Sequence, residues 1–303
     1  DAWECSPDYD RYLVEAVERC VLRASCSMIE GTVSHASVDG DWSISRRLIV
    51  DGRCEFNPNP AGGRDPALQV LRFTDARGDT RSLLFTFPCH PSSTGGASRA
   101  ISAEYPGRLC QLADAMRYGC TTLFLQGFGG DAKSRYAVSD GGDRFTPADF
   151  GDIDRMASSM ADAVRHVLEA DAFEPVDLRL AGRRFTIPLA IDVYPVEYFR
   201  KQLEEQEDAH SFMADCARYV VDHYGDLKER LDLHASLLKL SGDRYIFALG
   251  GEPSYDMGVV LRGAFPGLKI TCVGYCDDIA YVPTDRMIAE GGYEADGSIV
   301  EYR

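Results

Sequence analysis

The sequence predicts a mixed α/β (α+β) fold: one domain over residues 1–303, with mixed β-sheets flanked by helices. Three observations predict it. Short β-prone runs such as "SLLFTF" (82–87), "TTLFLQ" (121–126) and "RYIFAL" (244–249) alternate with stretches of helical period. No internal repeat, low-complexity tract or interdomain linker breaks that alternation. Several strands also run directly into glycines or ionisable residues, as α/β sheets do at the edge where ligands bind.

Taken in order, "DYDRYLVEAVERCVLRAS" (8–25) places Leu13, Val17 and Val21 four residues apart and reads as an amphipathic helix. Residues 27–48 read as extended chain with turns. The Pro, Gly and Asn content of "NPNPAGGRDP" (57–66) reads as a loop. Residues 68–74 and 82–87 are strands joined by the turn "DARGD", and 105–118 is a helix. The apolar strand 121–126 precedes a long helix at 150–170, with Met156, Met160 and Val164 on one face. Residues 178–189 read as strand and 196–224 as mostly helix. Strands at 231–240 and 244–251 flank the turn Ser241-Gly242-Asp243. A helix at 254–265 and a buried strand with a polar exit at 268–278 complete the pattern.

Composition narrows the function classes. A formal net charge of −16 excludes the electrostatic footprint of a nucleic-acid binder. No apolar run is long enough to span a membrane. The 10 cysteines are scattered, form no C-x-x-C pair, and sit largely within apolar patterns, where free cysteine behaves as a small hydrophobe. Reduced thiols and a cytoplasmic setting are expected. Asp1 is not a natural start, so a preceding segment is expected and secretion stays open.

Four strand ends stand out. "LLFTFPCH" ends at His90, "TTLFLQGFGGD" at Asp131, "RYIFALGGE" at Glu252, and "LKITCVGYCDD" at Asp277 and Asp278, with Tyr281 just beyond. Any one of these is ordinarily a cap or a turn partner. If the strands are neighbours, a histidine, two carboxylates and a tyrosine converge. Such oxygen and nitrogen donors suit Zn²⁺, and an open position on zinc makes a hydrolytic water available near neutral pH.

At these stretches the sequence resembles the neutral (non-lysosomal) ceramidase family, in particular its single-domain bacterial ceramidase-like members. The matching segments are "CHPSSTGGASRAISAEYPG" (89–107), "LFLQGFGGDA" (123–132), "ALGGEPSYDMG" (248–258) and "VGYCDDIAYVPTDRMIAEGGYEA" (273–295). The resemblance implies a zinc amidohydrolase that splits an N-acyl bond. It implies that His90, Glu252 and Tyr281 bind zinc and that Tyr293, in "GGYEA", is an active-site tyrosine. "WSISRR" (42–47) resembles the family's Asn-Arg segment, which makes Arg46 an active-site arginine. Tyr293 and Arg46 are then candidate donors to a tetrahedral oxyanion. Asp131 either orients a ligand or caps the glycine loop.

The resemblance also has departures. The family's first zinc histidine lies in a His-x-His segment upstream of the region matching residue 1, and His35 is not in a matching position. That segment is expected before Asp1 or on a companion chain. Where ceramidases carry Gly-Asp-Val-Ser-Pro-Asn, this chain reads Gly130-Asp131-Ala132-Lys133-Ser134-Arg135, so Lys133 replaces a serine. The expected substrate is a small-molecule or lipid amide, ceramide-like or another lipophilic natural product. Two alternatives stay open: an amide- or lactam-forming or ester-hydrolysing enzyme on the same site, and a non-catalytic zinc-binding partner subunit. His166, His210, His223 and His234 lie within helix or strand patterns and carry no expected catalytic role.

Overall fold

The computed structural model describes residues 6–95, 98, 100–116, 119–205, 212–227, 230–298 and 300–302. The amino-terminal half comprises α1 (Pro7–Cys26), β1 (Gly31–Asp39), β2 (Ser43–Val50), β3 (Arg53–Asn59), β4 (Ala67–Asp75), β5 (Thr80–Phe87), α2 (Glu104–Met116), β6 (Thr121–Gln126) and β7 (Ala132–Ser134). Then follow α3 (Phe150–Glu169), β8 (Glu174–Val176), β9 (Ala181–Val193), α4 (Val196–Glu205) and α5 (Phe212–His223). The remaining elements are β10 (Arg230–Lys239), β11 (Arg244–Pro253), α6 (Tyr255–Ala264), β12 (Lys269–Val282), α7 (Asp285–Glu290), α8 (Tyr293–Asp296) and β13 (Val300–Tyr302).

The strands form three sheets, ordered β6-β5-β4-β1-β8, β12-β11-β10-β9-β13 and β3-β2-β7. Both larger sheets are mixed: β5 and β6 are parallel, as are β11 and β12, and their other strand pairs are antiparallel. The mixed α/β class expected from the sequence is therefore the class observed.

Alternation along the strands of the first sheet explains its packing. Leu68, Val70, Leu83, Phe85 and Phe87 face a core completed by Tyr105 and Leu109 of α2 and by Met156, Met160 and Val164 of α3. Leu71 and Leu84 point the other way, toward Leu240 and Ile246 of the second sheet. An isolated bridge between Gly127 and Val273 joins the two sheets where β6 ends, so the carboxyl ends of β5 and β6 meet β12. The periodicity of α3 is realised as read: Asp149 and Asp152 form a capping box at its start, and its apolar stripe is buried.

Three readings change in the folded chain. Residues 57–59 belong to β3 rather than to a loop. Pro58 is tolerated because β3 is the outer strand of its sheet, where a missing N–H costs no ladder bond. The helical region 196–224 is two helices, α4 and α5; His210 lies outside the described residues. The polar exit at 277–278 is not an exit. The pairing runs from Gly250↔Cys276 to Glu252↔Tyr281, so β12 bulges between them and then resumes. Asp277 holds φ near 60° within that bulge, and Tyr275 does so at an earlier register shift of β12, between Val273 and Cys276.

Helix α1 forms, but none of its residues is buried, and Leu13, Val17 and Val21 remain exposed. The nine described cysteines, all but Cys5, form no disulfide with one another. Among the described residues no helix is long and apolar enough to cross a membrane.

Two substitutions test this packing. Met160→Ala should lower the unfolding free energy measured in urea by ~2–5 kcal/mol, because Met160 is fully enclosed. Val17→Ala on the uncovered face of α1 should change it by less than ~0.5 kcal/mol.

Candidate active site

His90 sits three residues beyond β5 and is buried. Its backbone is fixed on both sides. The His90 amide donates to Ala132 O at 3.1 Å. The preceding Cys89 carbonyl accepts from Tyr105 Oη at 2.6 Å and from Gln126 Nε2 at 3.0 Å. The glycine loop 127–130 packs alongside. A Cβ at Gly130 would lie 2.5 Å from Glu252 O, so this close approach of β11 to the loop requires glycine. The Gly130 amide donates to Pro253 O at 2.9 Å, which ties the loop to the end of β11.

The imidazole faces the expected partners. Nε2 lies 3.3 Å from Glu252 Oε2, 3.5 Å from Tyr281 Oη and 3.1 Å from Gly130 O. The structure thus brings together His90, Glu252 and Tyr281. It adds Tyr275, whose hydroxyl lies 2.5 Å from His90 Nδ1 and 3.1 Å from Glu252 Oε2. Tyr275 was not singled out in the sequence because it lies within what reads as a strand exit. It lies at the earlier register shift of β12, between Val273 and Cys276.

Desolvation dominates the electrostatics here. Burial, then the nearby Arg46 guanidinium, hold His90 well below the usual imidazole range, so it is neutral near pH 7. Burial and the Glu252 carboxylate push the Tyr275 phenol upward. Burial also raises Tyr281, with Arg46 acting in the opposite direction and Glu252 in the same one. For Arg46, burial by itself would depress the guanidinium, but Glu294 and Tyr281 more than offset it and the group is raised.

Arg46 and Tyr293 both border the cluster, with different surroundings. Arg46 Nε donates to Glu294 Oε1 at 2.7 Å and Nη2 donates to Gly130 O at 2.7 Å. Its guanidinium also lies near the rings of Tyr281, Tyr293 and Phe56, 5.0–5.4 Å from their centroids. It hydrogen-bonds Tyr281 as well. Arg46 is therefore largely occupied in holding other groups. Tyr293 is 37% exposed and packs edge-on against Tyr281 and Phe56. Asp131 is spent elsewhere: its Oδ1 accepts the Tyr255 amide at 2.8 Å, at the start of α6. That contact caps the start of α6, which is neither of its two expected roles.

Glu294 was not anticipated. Its carboxylate, 2% exposed, also accepts from Arg47 Nη1 at 2.5 Å. No charge pattern in the sequence links residue 294 to 46 and 47, since the pairing is purely tertiary. Lys133 bridges His90 through its backbone and donates from Nζ to Ser92 O at 2.6 Å; burial, then Arg46, lower its ammonium.

The remaining histidines have other partners. His35 Nε2 pairs with Gln69 Oε1 at 2.6 Å, and His223 Nδ1 contacts Tyr219 O at 2.9 Å. His234 Nδ1 pairs with Asp278 Oδ1 at 2.9 Å, and His166 is exposed on α3.

The donor set can be tested against zinc. Ligand atoms at ~2.0–2.1 Å from a tetrahedral zinc lie ~3.3–3.4 Å from one another. The His90–Glu252 and His90–Tyr281 separations, 3.3 and 3.5 Å, match that edge. Burial keeps the ring neutral as a ligand must be, but Nε2 faces the Gly130 carbonyl at 3.1 Å, which only accepts, so binding a metal there requires the ring proton on Nδ1 and loss of that contact. Among the described residues no three His, Cys, Asp or Glu side chains cluster, so this set depends on its tyrosine oxygens. The residues present fit the ion.

No family model matches the chain, and no curated protein matches it in sequence. Solved structures do match in fold. The neutral ceramidase from Pseudomonas aeruginosa superposes with a TM-score of 0.67 at 18% identity, covering 94% of this chain and 51% of that one. A ceramidase solved in complex with C2 gives 0.65 at 18% identity, covering 91% and 51%. The chain spans about half the length of these structures. The likeness carries the fold, and it is the fold that the sequence resemblance implied.

Two measurements check the site's supports. Glu294→Ala should cost ~3–5 kcal/mol in denaturant unfolding, because it strands two buried guanidinium groups; a loss below ~1 kcal/mol would rule out that support. Burial raises the Asp131 carboxyl to about 6. The folded chain then holds this proton more tightly than the unfolded chain, so the Asp131 contribution to stability falls as pH rises from about 4 to about 7 and is flat above. Asp131→Asn should remove that decline, so that stability relative to wild type improves by about 2.4 kcal/mol between pH 4 and 7.5.

Proposed function

We propose that this chain is a zinc-dependent amidohydrolase that cleaves the N-acyl bond of a ceramide-like or other lipophilic natural-product amide. The observation that carries the reading is the convergence of His90, Glu252 and Tyr281 from three separate strand regions at zinc-like spacing. A bound Zn²⁺ would supply a water of lowered pKa and polarise the scissile carbonyl.

The chain's own groups have distinct tasks. His90 contributes a neutral nitrogen, and Glu252 contributes carboxylate oxygens. Tyr281 contributes a phenol whose ionised form is favoured by Arg46 and by any adjacent cation. Arg46 orients Tyr281 and anchors the Gly130 carbonyl. Tyr293, part-exposed beside Tyr281, is the candidate donor to a developing oxyanion. The Tyr275 hydroxyl, between His90 and Glu252, can hold or pass a proton at Glu252 Oε2. In this reading the remaining metal ligand is a histidine of a His-x-His segment outside residues 1–303, either before Asp1 or on a companion chain.

An aromatic path supports a lipophilic substrate. From Tyr281 it runs through Tyr293 and Phe56 to Phe145, each ring 5.4–5.7 Å from the next. Phe56 and Tyr293 are part-exposed, so an apolar chain beginning at the site has rings to lie against. The free thiols favour a reducing, cytoplasmic compartment.

Metal analysis combined with turnover of N-acyl and ester substrates tests the proposal. Purified protein, with the His-x-His segment supplied, should hold about one zinc per chain. Glu252→Gln and His90→Ala should each lower kcat/KM by more than about 100-fold with loss of zinc, and Tyr293→Phe should lower kcat while retaining it. Zinc bound without turnover of any amide would overturn the hydrolase reading, and turnover of esters alone would overturn the amide assignment.

A further inference from the structure

A second polar cavity, of about 430 Å³, opens between the first and second sheets. Its size falls within the ~300–1,000 Å³ of small-molecule sites. His35 and Glu174 are register partners where β8 pairs with β1 in the first sheet. Arg244 and Lys269 are register partners at the amino ends of the parallel strands β11 and β12 in the second. All four line the cavity, together with Gln69 and Ser37.

The charges there do not cancel locally. Glu174 Oε2 accepts from both Arg244 Nη2 at 3.1 Å and Lys269 Nζ at 2.8 Å. One oxygen thus serves two cations, and Asp243 comes no closer to Lys269 than 3.9 Å. Arg244 is the buried member, 5% exposed, yet among the described residues Nη2 is the one guanidinium nitrogen with a hydrogen bond to a carboxylate. Burial of a guanidinium with so little compensation depresses it from its ordinary value, Glu174 and Asp243 offsetting only part of the penalty. An arginine fork held in this way matches the two oxygens of a carboxylate or phosphate.

The neutral side of the cavity is also ordered. Gln69 Nε2 donates to Ser37 Oγ at 3.0 Å, which turns Gln69 Oε1 toward His35. His35 Nε2 therefore carries the proton, and Nδ1 is left as an acceptor. Burial and Arg244 lower His35 to about 4, so it stays neutral and does not add to the cations. The walls thus combine two cations, the one carboxylate they share, and neutral hydrogen-bonding groups.

We propose that this cavity binds a small organic oxyanion, gripped through a carboxylate or phosphate by Arg244 and Lys269. The site is separate from His90 and stands whether or not the chain hydrolyses amides. Calorimetric titration of the full chain at pH 7 and constant ionic strength, with succinate, acetate, phenyl phosphate and inorganic phosphate, tests it. At least one probe should bind saturably, and comparing the carboxylates with the phosphates identifies which anion the cavity prefers. Arg244→Gln and Lys269→Gln should each weaken that binding by ~10-fold or more. Lys269 is half-exposed, so Lys269→Gln should keep its urea midpoint and remains decisive even if Arg244→Gln fails to fold. Absence of saturable binding by every probe up to about 10 mM, or an unchanged affinity in Lys269→Gln, would overturn the proposal.

Discussion

The candidate site depends on one buried carboxylate. Glu294 lies between Arg46 Nε and Arg47 Nη1, and all three side chains are at most 5% exposed. Removing such charges from water costs several kcal/mol per ion and is offset only when their hydrogen-bonding capacity is used. Here it nearly is. Arg46 also holds Gly130 O, and Arg47 also holds Glu290 and Gly291 O, leaving Arg47 Nε without a partner. The third sheet, the glycine loop and the carboxyl-terminal helices α7 and α8 therefore meet at a single point. Tyr293 is adjacent to Glu294 in sequence, and the Tyr281 ring lies beside Arg46, so the site's aromatic wall is carried by the same ion cluster.

The second constraint is the seam where the sheets join. β5 and β6 end against β12, and only glycine permits the approach of loop 127–130 to β11. A comparable fit occurs at Gly250, where a Cβ would fall 2.0 Å from Asp278 Oδ2. Asp278 accepts both the His234 amide and the His234 ring, which fastens the bulged part of β12 to β10. The two register shifts of β12 set the part-exposed Tyr275 beside His90 and bring Tyr281 opposite Glu252. Burial then sets the protonation of the cluster, a neutral imidazole among protonated phenols, in a chain whose net charge of −16 would otherwise favour cations everywhere.

The strand pair β11–β12 serves two places at once. Its carboxyl end carries Glu252 opposite Tyr281, and its amino end carries Arg244 opposite Lys269. A parallel pair puts like ends together, so two residues distant in sequence become neighbours at each end without a turn to join them. That geometry gathers Glu252 and Tyr281 at one end and Arg244 and Lys269 at the other.

The sequence by itself determined the class of fold, most element positions, and three of the side chains that converge. Helix α3 follows from its stripe of Met156, Met160 and Val164, and β5 and β6 from their apolar runs, because periodicity and burial are local properties of the chain. His90 and Glu252 were visible as polar residues ending apolar strands. Tertiary structure alone decided the rest. Pro58 could stay in a strand only because β3 is an outer one. The polar run at 276–278 became a bulge because β12 had further pairing to make with β11. Tyr275, Glu294 and the meeting of His35, Glu174, Arg244 and Lys269 depend on contacts between elements 70 to 248 residues apart. Local patterning carries no record of which distant charge will neutralise a buried one, so those partnerships are fixed only when the sheets close on each other.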